Sequence, residues 1–269
     1  FETNRNPSLM ASHGSLSPSL ETVLQMCNGP PCHESLTLFS GGAEGVDTVF
    51  DDAMARFAPF GQCLHWSFAG HRGFAARSHG RVDVPDDALE SLCDPHLRAA
   101  AKQLHQSMPS RRNWQVLSLF RRNVFQALWC DVMFCVTWTD PAASYPLRMG
   151  GGTKWAAQVY VNRFEPLGVE PADACRLWLY DVNQAAWQRW DCRTQSWTLA
   201  EPPMLTAKLK FAGIGTRTPP THAVEAVHRL FAGLHDLPPG PTGPAPCTGP
   251  PGPAECETEV QPVRRWQKK

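Results

Sequence analysis

Short apolar runs alternate with amphipathic segments through the middle of the chain. The runs LTLFS (36–40), CLHWSF (63–68) and VMFCVTW (132–138) are almost continuously apolar, which is typical of strands buried on both faces. Between them, segments such as 46–57 place apolar residues three or four positions apart, which predicts helices packed on the sheet. The pattern predicts an α/β fold, a Rossmann-like three-layer sandwich with a mostly parallel sheet.

Further elements extend this pattern. Strands are predicted at 176–182 and 208–215, and helices at 19–26, 86–106 and 221–234. Pro95 is expected to break the second of these helices. The helix before 132–138 is expected to begin near Arg121. The tryptophan-rich stretch 183–200 predicts a small β-hairpin.

The two ends of the chain differ in composition from its middle. Residues 1–18 are polar and interrupted by Ser and Pro, which predicts a flexible lead-in. Residues 238–269 are rich in Pro and Gly without a triplet period, which predicts a disordered tail. No linker divides the segment between them, so residues 19–237 are expected to form a single domain.

Charge and cysteine content limit the partners and the compartment. The 25 Lys and Arg residues balance 25 Asp and Glu residues, so long-range attraction to nucleic acid or an acidic membrane is not indicated. No apolar run approaches the roughly 20 residues of a membrane span. The ten cysteines form no CxxC pair, and several lie in apolar strands, which predicts reduced thiols and an intracellular, cytoplasmic protein. The ten histidines show no metal-binding spacing, so we predict no metal and no cofactor.

Glycine-rich turns link three of the predicted strands to helices. They are SGGAEG (40–45), GGGT (150–153) and GIGT (213–216). In a parallel sheet such turns share the carboxyl edge, where glycine lets the backbone approach a ligand and helix N-termini offer unpaired N–H groups. The ligand that suits such turns is a phosphate. Because neither GGGTK nor GIGTRT has the P-loop or dinucleotide pattern, a P-loop NTPase and an NAD(P) oxidoreductase are disfavoured.

Charged residues next to these turns add two candidates. The run Arg121-Arg122-Asn123 is placed at the start of a helix, where the positive charge of the two arginines opposes the helix dipole. This placement favours a nearby anionic partner, with a solvated surface pair as the alternative. Asp47 follows SGGAEG in the first turn of a helix. Helix capping and hydrogen bonding to a sugar or base explain Asp47 equally well.

Four motifs of the chain occur together, namely LFSGGAEGVD, FRRNVFQALWCDVMFCVTW, GGGTKWAAQ and KFAGIGTRTPP. They resemble those of the SLOG superfamily, the Rossmann-like group that includes the DNA-processing protein DprA and the cytokinin-activating LOG enzymes. They cover most of 36–180 and 208–234. The AGIG-type strand comes first in the family and last here, so the resemblance implies a circular permutation in which strand 208–213 pairs beside 36–40.

The resemblance also implies a pocket for a nucleotide or a nucleotide-derived small molecule. Carried over motif by motif, the ligand- and phosphate-binding residues would be Ser40, Gly41, Gly42, Asp47, Arg122, Asn123, Gly151, Gly152, Thr153, Gly213, Gly215, Thr216 and Arg217. The sequence leaves a homo-oligomer open.

Two further functions stay open as alternatives. LOG enzymes are phosphoribohydrolases that cleave the N-glycosidic bond of nucleoside 5′-monophosphates, and the resemblance places their glutamate after the GGT turn. Here the run from Met149 to Gln158 has no carboxylate, so this chemistry would fall to Glu44 or Asp47. The second alternative, by resemblance to DprA, is single-stranded nucleic-acid binding. Its stacking residues would be Trp114, Trp129, Trp155 and Trp187, and its phosphate contacts would be Arg111, Arg112, Arg121 and Arg122.

Overall fold

The computed structural model describes residues 18–29, 35–71, 80–164 and 174–234. The predicted tail 238–269 lies outside these ranges, as does the predicted lead-in 1–18 except for Pro18. No helix within the described ranges is long and apolar enough to cross a membrane. None of the cysteines in these ranges forms a disulfide.

Six helices and eight strands make up the described part of the chain. The helices are α1 (Leu20–Met26), α2 (Val46–Phe57), α3 (Asp86–Gln103), α4 (Trp114–Trp129), α5 (Thr153–Asn162) and α6 (Thr221–Leu230). The strands are β1 (Thr37–Ser40), β2 (Gln62–Ser67), β3 (Arg81–Asp83), β4 (Val132–Thr137), β5 (Leu177–Asp181), β6 (Ala186–Asp191), β7 (Ser196–Leu199) and β8 (Lys210–Gly215).

All eight strands belong to one sheet, in the order β3-β2-β1-β8-β4-β5-β6-β7. Neighbours from β3 to β5 in this order pair in parallel, whereas β5-β6 and β6-β7 pair antiparallel. The prediction of a Rossmann-like α/β fold with a mostly parallel sheet is therefore confirmed. The predicted hairpin is also present, and it extends the main sheet at one end.

Strand β8 lies between β1 and β4, although it is the last strand along the chain. Phe211 aligns with Leu38 of β1, and Gly213 aligns with Phe134 of β4. The expected pairing of 208–213 beside 36–40 is thus observed. The permutation that we inferred from the resemblance remains an interpretation of this topology.

Helices cover both faces of the sheet. Helices α3, α4 and α5 pack together on one face, over a core that contains the ring stack of Trp66 and Phe125, whose centroids are 5.0 Å apart. Helices α2 and α6 cover the other face, over a core that contains Phe50, Phe134 and Phe211. Apolar side chains on both faces explain why the central strands read as continuous apolar runs.

Three predictions about individual elements were wrong. Helix α3 continues through Pro95, because its buried face, which includes Leu89, Cys93 and Leu97, stays packed on the core despite the missing N–H. Helix α4 begins at Trp114, not near Arg121, because the segment WQVLSLF is helical and buries Leu117. The short edge strand β3 lies in a stretch that the sequence pattern left as a polar region.

The rings beneath β8 explain Gly213 by packing. A Cβ atom at this position would lie 2.2 Å from the Phe50 ring. We therefore expect Gly213→Ala to lower the free energy of unfolding by about 1–3 kcal/mol, through overpacking. Chemical denaturation measures this loss. The matched control is Gly152→Ala, whose Cβ would meet only Phe120 at 3.3 Å, and an equal loss in both variants would contradict the packing argument.

Candidate functional site

The three glycine turns lie side by side at the carboxyl edge of β1, β8 and β4. The backbone N–H of Val46, after the first turn, donates to the carbonyl of Thr216 at 3.1 Å. The N–H of Thr216 donates to Val136 of β4 at 2.9 Å. The hydroxyl of Thr137 donates to the carbonyl of Gly150 at 3.5 Å. The arrangement expected from a parallel sheet is therefore present.

A cavity of about 480 Å³ opens between these turns and the middle of α4. Most of the predicted site residues line it, namely Glu44, Asp47, Arg122, Asn123, Gly151, Gly152, Thr153, Gly215, Thr216 and Arg217. The volume is in the usual range for small-molecule sites. Helices α2 and α5 both begin at the cavity. The N-cap residue of each is a glycine, Gly45 and Gly152, and no side chain caps either N-terminus.

Four predicted residues do not line the cavity. The Ser40 hydroxyl accepts a hydrogen bond from the Gly42 N–H at 3.0 Å and thus holds the first turn. Gly41 packs against the Arg122 side chain, since a Cβ there would lie 2.2 Å from the guanidinium carbon. Gly213 packs against Phe50, as described above. A hydrogen bond explains the presence of Ser40 and Gly42 at the first turn, and packing explains the two glycines at 41 and 213, so none of the four requires a ligand.

Arg122 joins the first turn to the cavity from the middle of α4. It is 3 % exposed, and its guanidinium donates to the carbonyl of Gly41 at 2.5 Å and to the side-chain oxygen of Asn123 at 2.7 Å. It lies 3.2 Å from the His71 ring and 3.6 Å from the Asp47 carboxylate. The expected position at a helix N-terminus was wrong, so the dipole argument for Arg122 fails. Its burial and its partners make it important to the site instead.

Asp47 does not cap α2, and its hydrogen bonding to a sugar or base stays a prediction. Its carboxylate accepts from the Ala43 N–H at 3.4 Å, which steadies the turn, and it also lines the cavity. Burial raises the pKa of Asp47, while Arg122 and the backbone N–H groups of Ala43 and Gly41 act in the opposite direction. Burial also disfavours the charged form of Arg122, and therefore lowers its pKa. The pair is thus held away from water, where loss of either partner is costly.

A second polar cluster continues from Asp47 along the contact of α2 with β2. Asp51, one helical turn after Asp47, meets Cys63 and His65, which alternate on β2. Burial, followed by the charge of Asp47, raises the pKa of Asp51 to about 7. Burial and Arg122 lower the pKa of His65 to about 4, so its imidazole is neutral at neutral pH. Burial and Asp51 raise the pKa of the Cys63 thiol well above its ordinary value.

The sequence spacing predicted no metal site, but this second cluster brings together three residues of metal-ligating types. Ligand atoms of Asp51, Cys63 and His65 all lie within 4.8 Å of one another. The sequence signal was present in part, because positions 63 and 65 share one face of a strand. The third member comes from the preceding helix, which packs on β1 and β8, and only the tertiary structure brings its side chain to Cys63.

Trp138 is a cavity residue that sequence reasoning missed. It follows β4 directly, lines the cavity and is 38 % exposed. Its indole packs over Gly150, where a Cβ would lie 2.0 Å from the ring. The available signal was its place as the last residue of an apolar strand, at the carboxyl edge where ligands bind.

The residues suggested for nucleic-acid binding are mostly engaged in packing. Trp155 and Trp187 are buried, and Trp129 packs against Phe125 with ring centroids 5.6 Å apart. Arg121 pairs with the Asp94 carboxylate at 2.7 and 2.8 Å. Of the four tryptophans, Trp114 is the one that is exposed, at 46 %.

A larger cleft, of about 730 Å³, lies between the β6-β7 hairpin and α6. Trp187, Pro202, Pro203 and Met204 line it, together with Glu201 and Arg229. None of the predicted ligand- and phosphate-binding residues lines it. The smaller cavity holds most of those residues and the uncapped N-termini of α2 and α5, so it is the better candidate for a phosphate.

Comparison of the chain with protein-family models, with curated proteins and with solved structures found no match. The relation to the SLOG superfamily therefore remains a prediction from the motifs.

The burial of the Arg122 and Asp47 pair predicts a large, coupled effect on stability. Arg122→Met is expected to lower the free energy of unfolding by about 3 kcal/mol, because it leaves the Asp47 carboxyl buried without its cation. Adding Asp47→Asn should recover part of this loss, and urea denaturation of the two single variants and the double variant measures the coupling. The control is Arg81→Met, in the exposed Arg81–Asp83 pair, which should cost less than about 1 kcal/mol. Additive losses would contradict the coupling.

Proposed function

We propose that the chain binds a nucleotide or nucleotide-derived ligand, with its phosphate at the glycine turns after β8 and β4. The observation that carries the proposal is the convergence of Gly151, Gly152 and Thr153 with Thr216 and Arg217 around one cavity. These residues offer backbone N–H groups, hydroxyl groups and a guanidinium, which are the donors that phosphate oxygens accept. The uncapped N-terminus of α5 adds a partial positive charge at the same place.

The apolar part of the cavity suits the base of such a ligand. Trp138 and Phe120 both line the cavity, and Phe120 stacks on Trp155 with ring centroids 5.1 Å apart. An exposed indole next to phosphate donors offers a stacking surface for a planar heterocycle. Glu44 is exposed at the opposite turn and can accept hydrogen bonds from a sugar. The proposal thus assigns different parts of the cavity to the phosphate, the sugar and the base.

Binding should depend on Arg217. Isothermal titration with AMP, ADP and ADP-ribose is expected to detect binding of at least one of them, and Arg217→Ala should weaken it about tenfold or more through loss of a charge-assisted hydrogen bond. The matched control is Arg176→Ala, next to the amino end of β5 and outside the cavity lining. Absence of binding to every nucleotide tested, or equal weakening in both variants, would overturn the proposal.

One observation favours cleavage of an N-glycosidic bond as the second candidate function. Both carboxyl groups line the cavity, but Asp47 is buried, which raises its pKa, whereas Glu44 is exposed. Two carboxyl groups in different environments are typical of acid–base pairs. Against it, the run from Met149 to Gln158, where the resemblance puts the glutamate of LOG enzymes, has no carboxylate.

Release of free base separates the two functions. If the chain is a phosphoribohydrolase, it should release adenine or guanine from AMP or GMP, and Asp47→Asn should reduce the rate by about 100-fold or more, through loss of general acid–base catalysis. Chromatography of the products measures the release. Glu44→Gln tests the second carboxyl group in the same assay. Binding without base release from either nucleotide would leave the binding function alone.

A further inference from the structure

Three side chains with metal-ligating atoms meet where α2 crosses β2, behind the first glycine turn. The Cys63 sulfur is 3.0 Å from Nε2 of His65 and 3.5 Å from Oδ1 of Asp51. Nδ1 of His65 is 3.7 Å from Oδ2 of Asp51. Atoms bound to one tetrahedral zinc ion are about 3.5 Å apart, given bonds of about 2.0 Å to nitrogen and about 2.3 Å to sulfur. The distance between Cys63 and Asp51 matches this value. The two His65 distances are to different ring nitrogens, of which one would bind the ion, and one ligand atom from each of the three residues lies within 4.8 Å of the others.

The His65 ring provides a second, independent observation. The residue is 2 % exposed, and its Nδ1 has no hydrogen-bond partner within the part of the chain that the structure describes. The Asp51 carboxylate lies 3.7 Å from this nitrogen, which is too long for a hydrogen bond. A buried nitrogen without a partner loses its hydration without compensation, and a bound cation would supply a partner.

We propose that Asp51, Cys63 and His65 bind one divalent cation of the zinc type. A set of one carboxylate, one thiolate and one imidazole suits zinc, whereas Mg²⁺ and Ca²⁺ prefer oxygen ligands alone. Three protein ligands leave a fourth position for water, as in zinc sites with an open coordination position. The inference is independent of the nucleotide proposal, because none of the three residues lines the cavity.

The charges around the cluster are consistent with a bound cation. Asp47 and Asp51 lie one helical turn apart on α2, and Arg122 is the cation that pairs with Asp47. A bound ion would balance the Asp51 carboxylate and the Cys63 thiolate that forms when the cysteine binds it.

A nucleophilic cysteine is the other chemistry that this geometry resembles, since the Cys63 sulfur faces a histidine whose second nitrogen faces an aspartate. One observation disfavours it. Cys63 lies outside the cavity lining, so it does not face the space where a substrate would bind.

Titration of the chelator-treated full chain with Co²⁺, under anaerobic conditions, tests the proposal. Co²⁺ takes the place of zinc in tetrahedral sites and gives a thiolate-to-metal charge-transfer band when a cysteine binds it. We expect the band to saturate at about one ion per chain and to disappear on addition of equimolar Zn²⁺. Cys63→Ser should abolish the band. The matched control, Cys192→Ser, should keep it, because Cys192 is a partly buried cysteine that follows β6.

A thermal measurement keeps the proposal testable if Cys63→Ser does not fold. Zn²⁺ should raise the Tm of the wild-type chain by a few degrees, because it binds the folded state. Asp51→Asn, which keeps the shape of the side chain, should weaken Zn²⁺ binding at least tenfold and reduce this shift. Absence of the band in the wild type, its survival in Cys63→Ser, its loss in Cys192→Ser, or an unchanged thermal shift in Asp51→Asn would each overturn the proposal.

Discussion

The insertion of β8 between β1 and β4 is the constraint on which the rest of the structure depends. Without this strand the sheet would divide into β3-β2-β1 on one side and β4-β5-β6-β7 on the other. The strand has glycines at the two positions where its neighbours lie closest. A Cβ at Gly213 would meet Phe50, and one at Gly215 would lie 2.1 Å from the carbonyl of Val136. The two glycines thus let β8 fit between α2 and β4, and their close contacts align the three turns at one edge.

Helix α4 secures this alignment from the opposite face of the sheet. The Gln126 amide donates to the carbonyls of Phe39 and Gly213 at 3.3 and 3.4 Å, and so spans β1 and β8. One turn earlier, Arg122 reaches the carbonyl of Gly41 at the end of β1. A buried guanidinium is costly to desolvate unless its donors are used. The contacts with Gly41, Asn123 and Asp47 meet this requirement, and they explain why position 41 has no side chain.

Helix α2 connects the cavity to the polar cluster behind it. Asp47 faces the cavity and Arg122, while Asp51, four residues later on the same side of the helix, faces Cys63 and His65. The apolar residues of α2, such as Phe50 and Ala53, face the core instead. One amphipathic helix therefore separates a polar seam along β2 from an aromatic core along β8. A nucleotide at the turns and a cation at the seam would both act on this helix.

The sequence by itself was sufficient for the fold class, most strand positions, the hairpin and the shared edge of the glycine turns, because these depend on local periodicity and on rules for parallel sheets. It also indicated the cavity residues that follow directly after strands or begin helices, whereas Arg122 and Asn123 lie in the middle of α4, where the predicted helix start was wrong. Tertiary structure decided the rest. Arg122 contacts Gly41 across 81 positions of the chain, and the burial that makes this contact important has no local signal. The same holds for Asp51 beside Cys63 and His65, for Trp138 over Gly150, and for Gly213 against Phe50, because each pairing arises only when helices and loops pack on the completed sheet.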